Sequence, residues 1–431
     1  MVIVAKFGGS SLADAGQFRK VAAIVRADTE RRFVVVSAPG KRFSGDRKVT
    51  DLLYRYSDSG EEAVLAEIRS RFEDILRDLD LQLDLDPVFG EMQNARKRAD
   101  GRDFLASRGE YLNGCILAAL LNWPFLDPAE AIRFTSDGSL DEDATDEALG
   151  RKLTALGRAV IPGFYGALAD GSVHTFSRGG SDVTGALVAR AVEASLYENW
   201  TDVPGVLMAD PTIVPNPKVI PEITYQELRE LACMGAAVLH DEAVFPVREA
   251  RIPINIRDTN APKEPGTMIL SNRTRQTDRE ITGIAGKTGF SVITVEKDKL
   301  NNCSGFGRKI LEALESCGLT PEHIPNGVDA VSVLVNTQAL AARKEDLTAR
   351  IFRETGADTV TIEDGIALLT IVGQGMGQMA GTAGRVMTLL AQKRIDLRMM
   401  EQCFQKSSMI LGIREEDYPE TMRAIYGEFA D

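Results

Sequence analysis

The sequence predicts an α/β fold: one large domain on a parallel sheet, followed by two small βαββαβ units. Three observations carry that reading. The chain opens as strand, glycine turn, helix and strand, with residues 2–6 (VIVAK), Gly8-Gly9-Ser10-Ser11, helical spacing over 13–27 and a second strand at 33–37 (FVVVS). These strands are continuous apolar runs rather than alternations, the pattern of strands covered on both faces. The C-terminal third then runs through one strand–helix pattern twice.

Each element follows from its residues. A polar loop fills 39–48, and 61–122 reads as mostly helical. Strands are expected at 159–165, 172–176, 195–201 and 253–257, and helices at 182–194 and 226–238. The polar stretch 271–280 (SNRTRQTDRE) marks the end of this domain, placed at 1–275. In the first repeat, strands are expected at 290–296, 321–325, 330–336 and 359–363, with helices at 305–317 and 344–355. The second repeat has strands at 366–372, 396–403 and 408–413 and helices at 380–393 and 418–429, one strand short. A missing strand leaves an open edge, and the orphan strand 281–285 can fill it. The first repeat (289–365) is then inserted in a second unit made of 281–287 plus 366–431.

Composition excludes several functions. The chain has 431 residues, enough for about three domains. Its 50 basic and 63 acidic residues give a net charge of −13 with no basic block, which argues against a nucleic-acid partner. The longest apolar runs, such as 115–121, fall far short of the ~18 residues that span a bilayer, so no membrane partner is expected. The start has no basic region ahead of an apolar core, as a signal peptide would. Five cysteines without a CxxC pair argue against a disulfide frame or structural zinc. Only His174, His240 and His323 are available for histidine chemistry. A cytoplasmic enzyme or ligand-binding protein is the expectation.

Two glycine turns carry candidate chemistry. In Lys6-Phe7-Gly8-Gly9-Ser10-Ser11 a lysine at a strand end precedes glycines and a helix start. Glycines let backbone N–H groups approach phosphate oxygens, and a lysine adds charge for a transferring group. Ser177-Arg178-Gly179-Gly180-Ser181-Asp182 repeats the arrangement after another strand. The plainer readings are a tight turn with a solvated lysine for the first and an ordinary loop capped by Ser181 or Asp182 for the second. Ser107-Arg108-Gly109-Glu110-Tyr111 reads as a helix start, and Trp200 to Gly205 as a loop at a strand C-terminus, where open α/β sheets bind ligands. Two lookalikes fail. Gly286-Lys287-Thr288 has Ile281 where a P-loop needs its first glycine, and Gly373-x-Gly375 has Gln378 where a dinucleotide fingerprint needs its third.

Taken together, KFGGSSL at 6–12, SRGE at 107–110, PGFYG at 162–166, SRGGSD at 177–182, WTDVPG at 200–205, Ala209-Asp210-Pro211, MGAAVLH at 234–240 and PINIRDT at 253–259 resemble aspartate kinase, in that family's order and spacing. The repeated tail looks like the family's paired ACT regulatory domains. The resemblance implies an amino-acid kinase (carbamate-kinase-like) sandwich on a parallel sheet with two ACT domains. It implies transfer of the ATP γ-phosphoryl group to the β-carboxylate of L-aspartate, a step toward lysine, threonine and methionine. It further implies Lys6 and Asp182 as catalytic residues, with Ser10, Thr50, Glu110, Arg178 and Ser181 on the substrate. ATP would meet Lys6, Gly8, Gly9, Thr201, Asp202, Leu207, Asp210, Thr212 and Ala237. Mg²⁺ would enter with ATP, with no metal-binding residues of the protein assigned. A homodimer or larger oligomer through the ACT domains is implied, and the chain reads as monofunctional.

The departures cluster. The family often has tyrosine at Leu207, arginine at Thr212 and lysine at Ala237, all on the nucleotide side. In the second ACT unit a small polar turn is replaced by Gln402-Cys403-Phe404-Gln405-Lys406. The first unit keeps Phe306, Gly307, Thr320 and Glu322 where the family binds an effector, lysine or threonine. Two alternatives are ACT units that only dimerise, and a catalytically impaired amino-acid sensor. Lys6, which a sensor does not need, favours the enzyme.

Overall fold

The structure, a computed structural model, describes residues 1–98, 101–177, 179–236, 244–272, 279–300, 303–377, 379–402 and 407–430. They fall into two units: Met1–Val206, Val219–Tyr225 and Ala237–Arg273; and Leu207–Lys218, Gln226–Ala236 and Thr274–Asp431.

The first unit opens with β1 (Ile3–Phe7), a 3₁₀ turn over Gly9–Leu12, α1 (Ala15–Arg26) and β2 (Arg31–Val36). The Asp14 carboxylate accepts from the Gln17 N–H at 2.9 Å and caps α1. Helices α2 (Val49–Ser59), α3 (Glu62–Leu79), α4 (Asp86–Ala95), α5 (Gly101–Leu121) and α6 (Glu142–Leu156) follow. Next come β3 (Ala159–Pro162), β4 (Tyr165–Ala167), β5 (Val173–Thr175), α7 (Gly180–Ala191), β6 (Leu196–Thr201), β7 (Glu222–Thr224), then α8 (Tyr225–Cys233), which from Gln226 on is counted with the second unit, and back in the first unit α9 (Phe245–Glu249), β8 (Ile254–Asp258) and β9 (Thr267–Leu270). The seven-stranded sheet runs β3-β2-β1-β6-β8-β9-β7, parallel except where β8 meets β9. β4 and β5 form a separate hairpin.

Three expectations need correction here. Residues 159–165 are two strands, because the chain turns at Gly163 and Phe164, the latter at φ 81°. α2, α6 and β9 go beyond the elements read from the sequence. And Ser107 to Glu110 lies inside α5 rather than at a helix start. That helix is buried nearly all round, so it shows no amphipathic stripe to mark its extent. Gly109 is there because a Cβ would stand 2.7 Å from the Ala38 side chain.

In the second unit, β10 (Gly283–Glu296), α10 (Phe306–Ser316), β11 (Ala330–Asn336), α11 (Thr337–Ala341), α12 (Lys344–Thr355), β12 (Thr359–Val372), α13 (Thr382–Gln392), β13 (Leu397–Gln402), β14 (Ser408–Arg414) and α14 (Tyr418–Phe429) build one five-stranded sheet, β11-β10-β12-β14-β13. The expected strands 281–285 and 290–296 fuse into β10, and 359–363 and 366–372 fuse into β12. The joints are Gly289 and Gly365, at φ 84° and 81°, which bend the strands without ending them. Residues 283–287 pair antiparallel with 368–372, and 292–296 with 359–363. Two apolar cores lie on this sheet, one around Ile293, Phe306, Val333 and Ile351, the other around Ile284, Leu369, Val386 and Met422. The expected strand at 321–325 is only an isolated bridge, His323 to Leu334, and its flanking prolines cannot donate to a ladder. Gly373 and Gly375 serve close packing: a Cβ on either would strike the carbonyls of Glu280 and Arg279, at 2.5 and 2.1 Å. Among the described residues no helix is long and apolar enough to cross a membrane.

A buried charge cluster ties the first sheet together. Glu198 on β6, 2% exposed, accepts from Arg31 Nε and Nη2 at 2.7 and 3.0 Å and from Trp200 Nε1 at 2.9 Å. Arg257 stands 3.5 Å away, and both guanidinium groups lie over the Trp200 ring, which stacks on Phe7. Removing one partner of such a cluster leaves an uncompensated buried charge, at a cost of about 3–5 kcal/mol. Glu198→Gln is therefore expected to lower the unfolding free energy by that amount, read as a lower urea midpoint at unchanged slope. A change within about 0.5 kcal/mol would show that the cluster contributes nothing to stability.

Candidate active site

The C-terminal ends of β1, β2 and β6 and the N-terminal turn of α7 surround a cleft of about 690 Å³. At its floor, Lys6 on β1 stands opposite Asn199 on β6 in the sheet register. Lys6 Nζ lies 2.7 Å from Asp182 Oδ1, and the Lys6 side chain is 9% exposed. Asn199 Nδ2 donates to the same oxygen at 2.8 Å, and its Oδ1 is 3.5 Å from Lys6 Nζ. Asp182 sits in the first turn of α7, where a carboxylate also suits the helix dipole.

Glycines bring the walls together. Gly8 donates its N–H to the Trp200 carbonyl at 2.9 Å, and Gly40 donates to the Gly9 carbonyl at 2.8 Å. A Cβ on Gly40 would come within 2.6 Å of the Gly9 carbonyl carbon. Gly163 leaves room for Ser181, 2.6 Å from where its Cβ would be, and Gly185 leaves room for the Tyr197 hydroxyl. Gly179 takes the left-handed conformation just before α7. Phe164, on the cleft wall, holds its positive φ between two hydrogen bonds, its N–H to Thr184 Oγ1 and its carbonyl to the Phe176 N–H.

Glu110 enters from α5. It is 5% exposed, and its Oε2 has no partner among the described residues. Burial pushes its carboxyl up to about 8, against the pull of the Ala38 backbone N–H and the Arg108 charge. Arg108 itself does not line the cleft: it lies 4.2 and 4.3 Å from the Phe104 and Tyr111 ring centres and donates to Ser107 Oγ.

The structure thus brings Lys6, Gly8, Gly9, Ser10, Thr50, Glu110, Ser181, Asp182, Thr201 and Asp202 to one cleft. Leu207, Asp210 and Thr212 lie on the Leu207–Lys218 segment, counted with the second unit, and do not line the cleft. There the Asp210 carboxylate accepts from the Thr212 N–H and hydroxyl at 2.8 and 2.7 Å. Arg178, Ala237 and residues 403–406 lie outside the described residues. Of the expected effector set, Phe306 is 4% exposed and packs in a core, Gly307 follows it on α10, Thr320 is exposed, and Glu322 donates its N–H to the Leu334 carbonyl. Sequence reasoning missed Asn199, Lys41, Lys48 and Tyr54. The last three line the cleft and follow the second strand or sit in an unforeseen helix. Asn199 lies beside Glu198 in a strand of mixed polarity, LYENWT, which gave no signal for it. Among the described residues no three His, Cys, Asp or Glu side chains gather to hold a metal ion.

The amino acid kinase family model matches residues 1–258, and an ACT domain model matches 369–429. Aspartokinase 3 of Bacillus subtilis is 37% identical over 99% of this chain and 98% of its own. The lysine-sensitive aspartokinase 3 of Escherichia coli is 27% identical over 94% of each. The crystal structure of Clostridium acetobutylicum aspartate kinase superposes with a TM-score of 0.94 at 44% identity, covering 99% of this chain and 100% of that one. E. coli aspartokinase III in complex with aspartate and ADP gives 0.73 at 25% identity, with both chains fully covered. With a fold, a cleft and a sequence that agree along its whole length, this chain belongs to the amino acid kinase family and, within it, to the aspartate kinases.

Proposed function

We propose that the cleft binds MgATP and L-aspartate side by side and that Lys6 sits where the γ-phosphoryl group passes to the β-carboxylate. The Lys6–Asp182–Asn199 cluster carries this reading: a nearly buried ammonium, held by neighbours on two other elements, at the meeting point of two glycine turns. The E. coli relative solved with aspartate and ADP supports the same pair of ligands. The nucleophile is a carboxylate of ordinary pKa about 3.9, ionised at neutral pH, so no general base is required. The barrier is then lowered by alignment and by neutralising charge on the phosphoryl oxygens.

Lys6, Gly8, Gly9, Thr201 and Asp202 face the nucleotide, and Ala237, Leu207, Asp210 and Thr212 complete its surroundings by family resemblance. Magnesium would arrive with ATP, where it would compensate the charge of the phosphates. Ser10, Thr50 and Ser181 hold the acceptor, Arg178 takes its α-carboxylate in a bidentate pair, and Glu110 takes its ammonium. Residues 1–275 form the catalytic domain, 289–365 the first ACT domain, and 281–287 with 366–431 the second. The ACT domains pair between subunits. Lysine or threonine acts near Phe306, Gly307, Thr320 and Glu322 by family resemblance, and the lysine-sensitive relative supports lysine as the effector.

Two outcomes test the site. Lys6→Ala is expected to lower aspartate-dependent ADP release by at least about 10²-fold, the scale of losing one oriented charge, while aspartate still binds; unchanged turnover would remove Lys6 from the reaction. The second outcome follows from Glu110. Its carboxyl is neutral in the free enzyme below about 8 and charged above it. Only the charged form pairs with the ammonium of aspartate. The value of kcat/KM for aspartate therefore rises with pH up to a break near 8. Glu110→Gln flattens that rise; a break that survives the substitution belongs to another group.

A further inference from the structure

Beneath the cleft, and outside its lining, lies a guanidinium that fastens its two halves. Helix α3 buries an apolar face of Val64, Leu65, Ile68, Phe72 and Ile75. Arg71 interrupts that face at 5% exposure. Its Nη2 donates to the Ala13 carbonyl at 3.0 Å and to the Gly40 carbonyl at 2.7 Å, and its Nη1 donates to Asp46 Oδ2 at 2.7 Å. Its Nε is buried with no partner among the described residues. An apolar side chain would fill this position at lower desolvation cost. The three partners are not scattered. Ala13 closes the 3₁₀ turn that begins at Gly9, Gly40 lies in the first part of the loop after β2, and Asp46 stands near that loop's end, before Lys48 and Thr50. Arg42 closes the far side of Asp46 with its N–H, Nε and Nη2 at 3.0, 2.8 and 3.0 Å. Together these hydrogen bonds hold the Asp46 carboxyl far below the usual carboxylate range.

We propose that Arg71 is a positioning residue for phosphoryl transfer: it fixes the spacing between the Gly8-Gly9 turn, which takes the nucleotide phosphates, and the loop after β2 that leads to Thr50, which takes the acceptor. This rests on the reading of the cleft given above. Each half keeps its own ligand contacts without Arg71, because neither Arg71 nor Asp46 lines the cleft. What is lost is their registration. In-line transfer needs the reacting atoms roughly 3–3.5 Å apart, and an error of about 1 Å costs on the order of 10²-fold in rate. The signature is a split between binding and turnover.

The test uses Arg71→Lys, which keeps the charge but cannot reach three acceptors as a fork. Asp46→Asn loosens one arm only, and Arg77→Ala on the exposed side of the same helix is the control. Aspartate and MgADP binding are measured separately by calorimetry, and turnover by ADP release. Arg71→Lys is expected to hold both dissociation constants within about 3-fold and to lose about 10²-fold in kcat. Asp46→Asn is expected to lose about 10-fold in kcat in the same pattern, and it decides the matter if Arg71→Lys does not fold. Arg77→Ala keeps wild-type values. The proposal is overturned if kcat stays within about 2-fold of wild type. It is equally overturned if both affinities fall in step with kcat, which would make Arg71 a purely structural group. Failure of the underlying reading is separate: it would appear as full turnover in Lys6→Ala.

Discussion

The site is organised around one ammonium. Lys6 is placed by β1 at the end of a parallel sheet, with 9% of its side chain exposed. A charge so nearly buried must be met by fixed partners. Asp182 meets it from the first turn of α7, and Asn199 meets both from the neighbouring strand. That requirement propagates outward. α7 has to start where its first carboxylate reaches β1, so the chain turns through Gly179 and packs Gly163 against Ser181. The two turns flanking Lys6 have to lie backbone on backbone, so Gly9 and Gly40 carry no side chain. A pocket built this way positions its ligands by main-chain geometry. That suits a reaction whose acceptor is already ionised and whose cost is mostly alignment.

The second unit follows different physics. Two fourteen-residue strands, β10 and β12, run through both halves of one sheet and give each half its central pair. The halves keep separate apolar cores, and the shared strands hold them in one sheet. The Leu207–Lys218 segment packs with this unit: Ala209 and Val214 join its second core, and Ile284 donates to the Met208 carbonyl at 2.7 Å. Three of the residues that differ from the usual aspartate kinase pattern or adjoin it, Leu207, Asp210 and Thr212, therefore sit on a segment with its own structural duty.

Much of the site was legible because its chemistry needs unusual residues in unusual places. A lysine at a strand end and glycines before a helix are rare for packing reasons alone, and those residues converge. Glu110 was legible as chemistry but misread as structure. Gly109 beside it looks like helix punctuation, whereas it makes room for Ala38 inside a long helix. α2 starts at Val49 with no side-chain cap, so nothing local separates it from the polar loop before it. Gly289 and Gly365 read as strand ends and are bends. Asn199 and Arg71 belong to no motif. The first is one of several polar residues in β6, beside Glu198 and Thr201, and the second one arginine in a charged helix, and only their three-dimensional partners distinguish them.

The most direct test is the regiochemistry of the product. Protein incubated with MgATP and L-aspartate is treated with hydroxylamine, and the hydroxamate is identified. The proposed placing of Lys6 against the acceptor, with Glu110 taking the ammonium at its far end, predicts the β-hydroxamate alone and none from L-glutamate. ADP formed without any hydroxamate, or hydroxamate on the α-carboxylate, would contradict the account, because the phosphoryl group would then be passing to water or to the wrong end of the substrate.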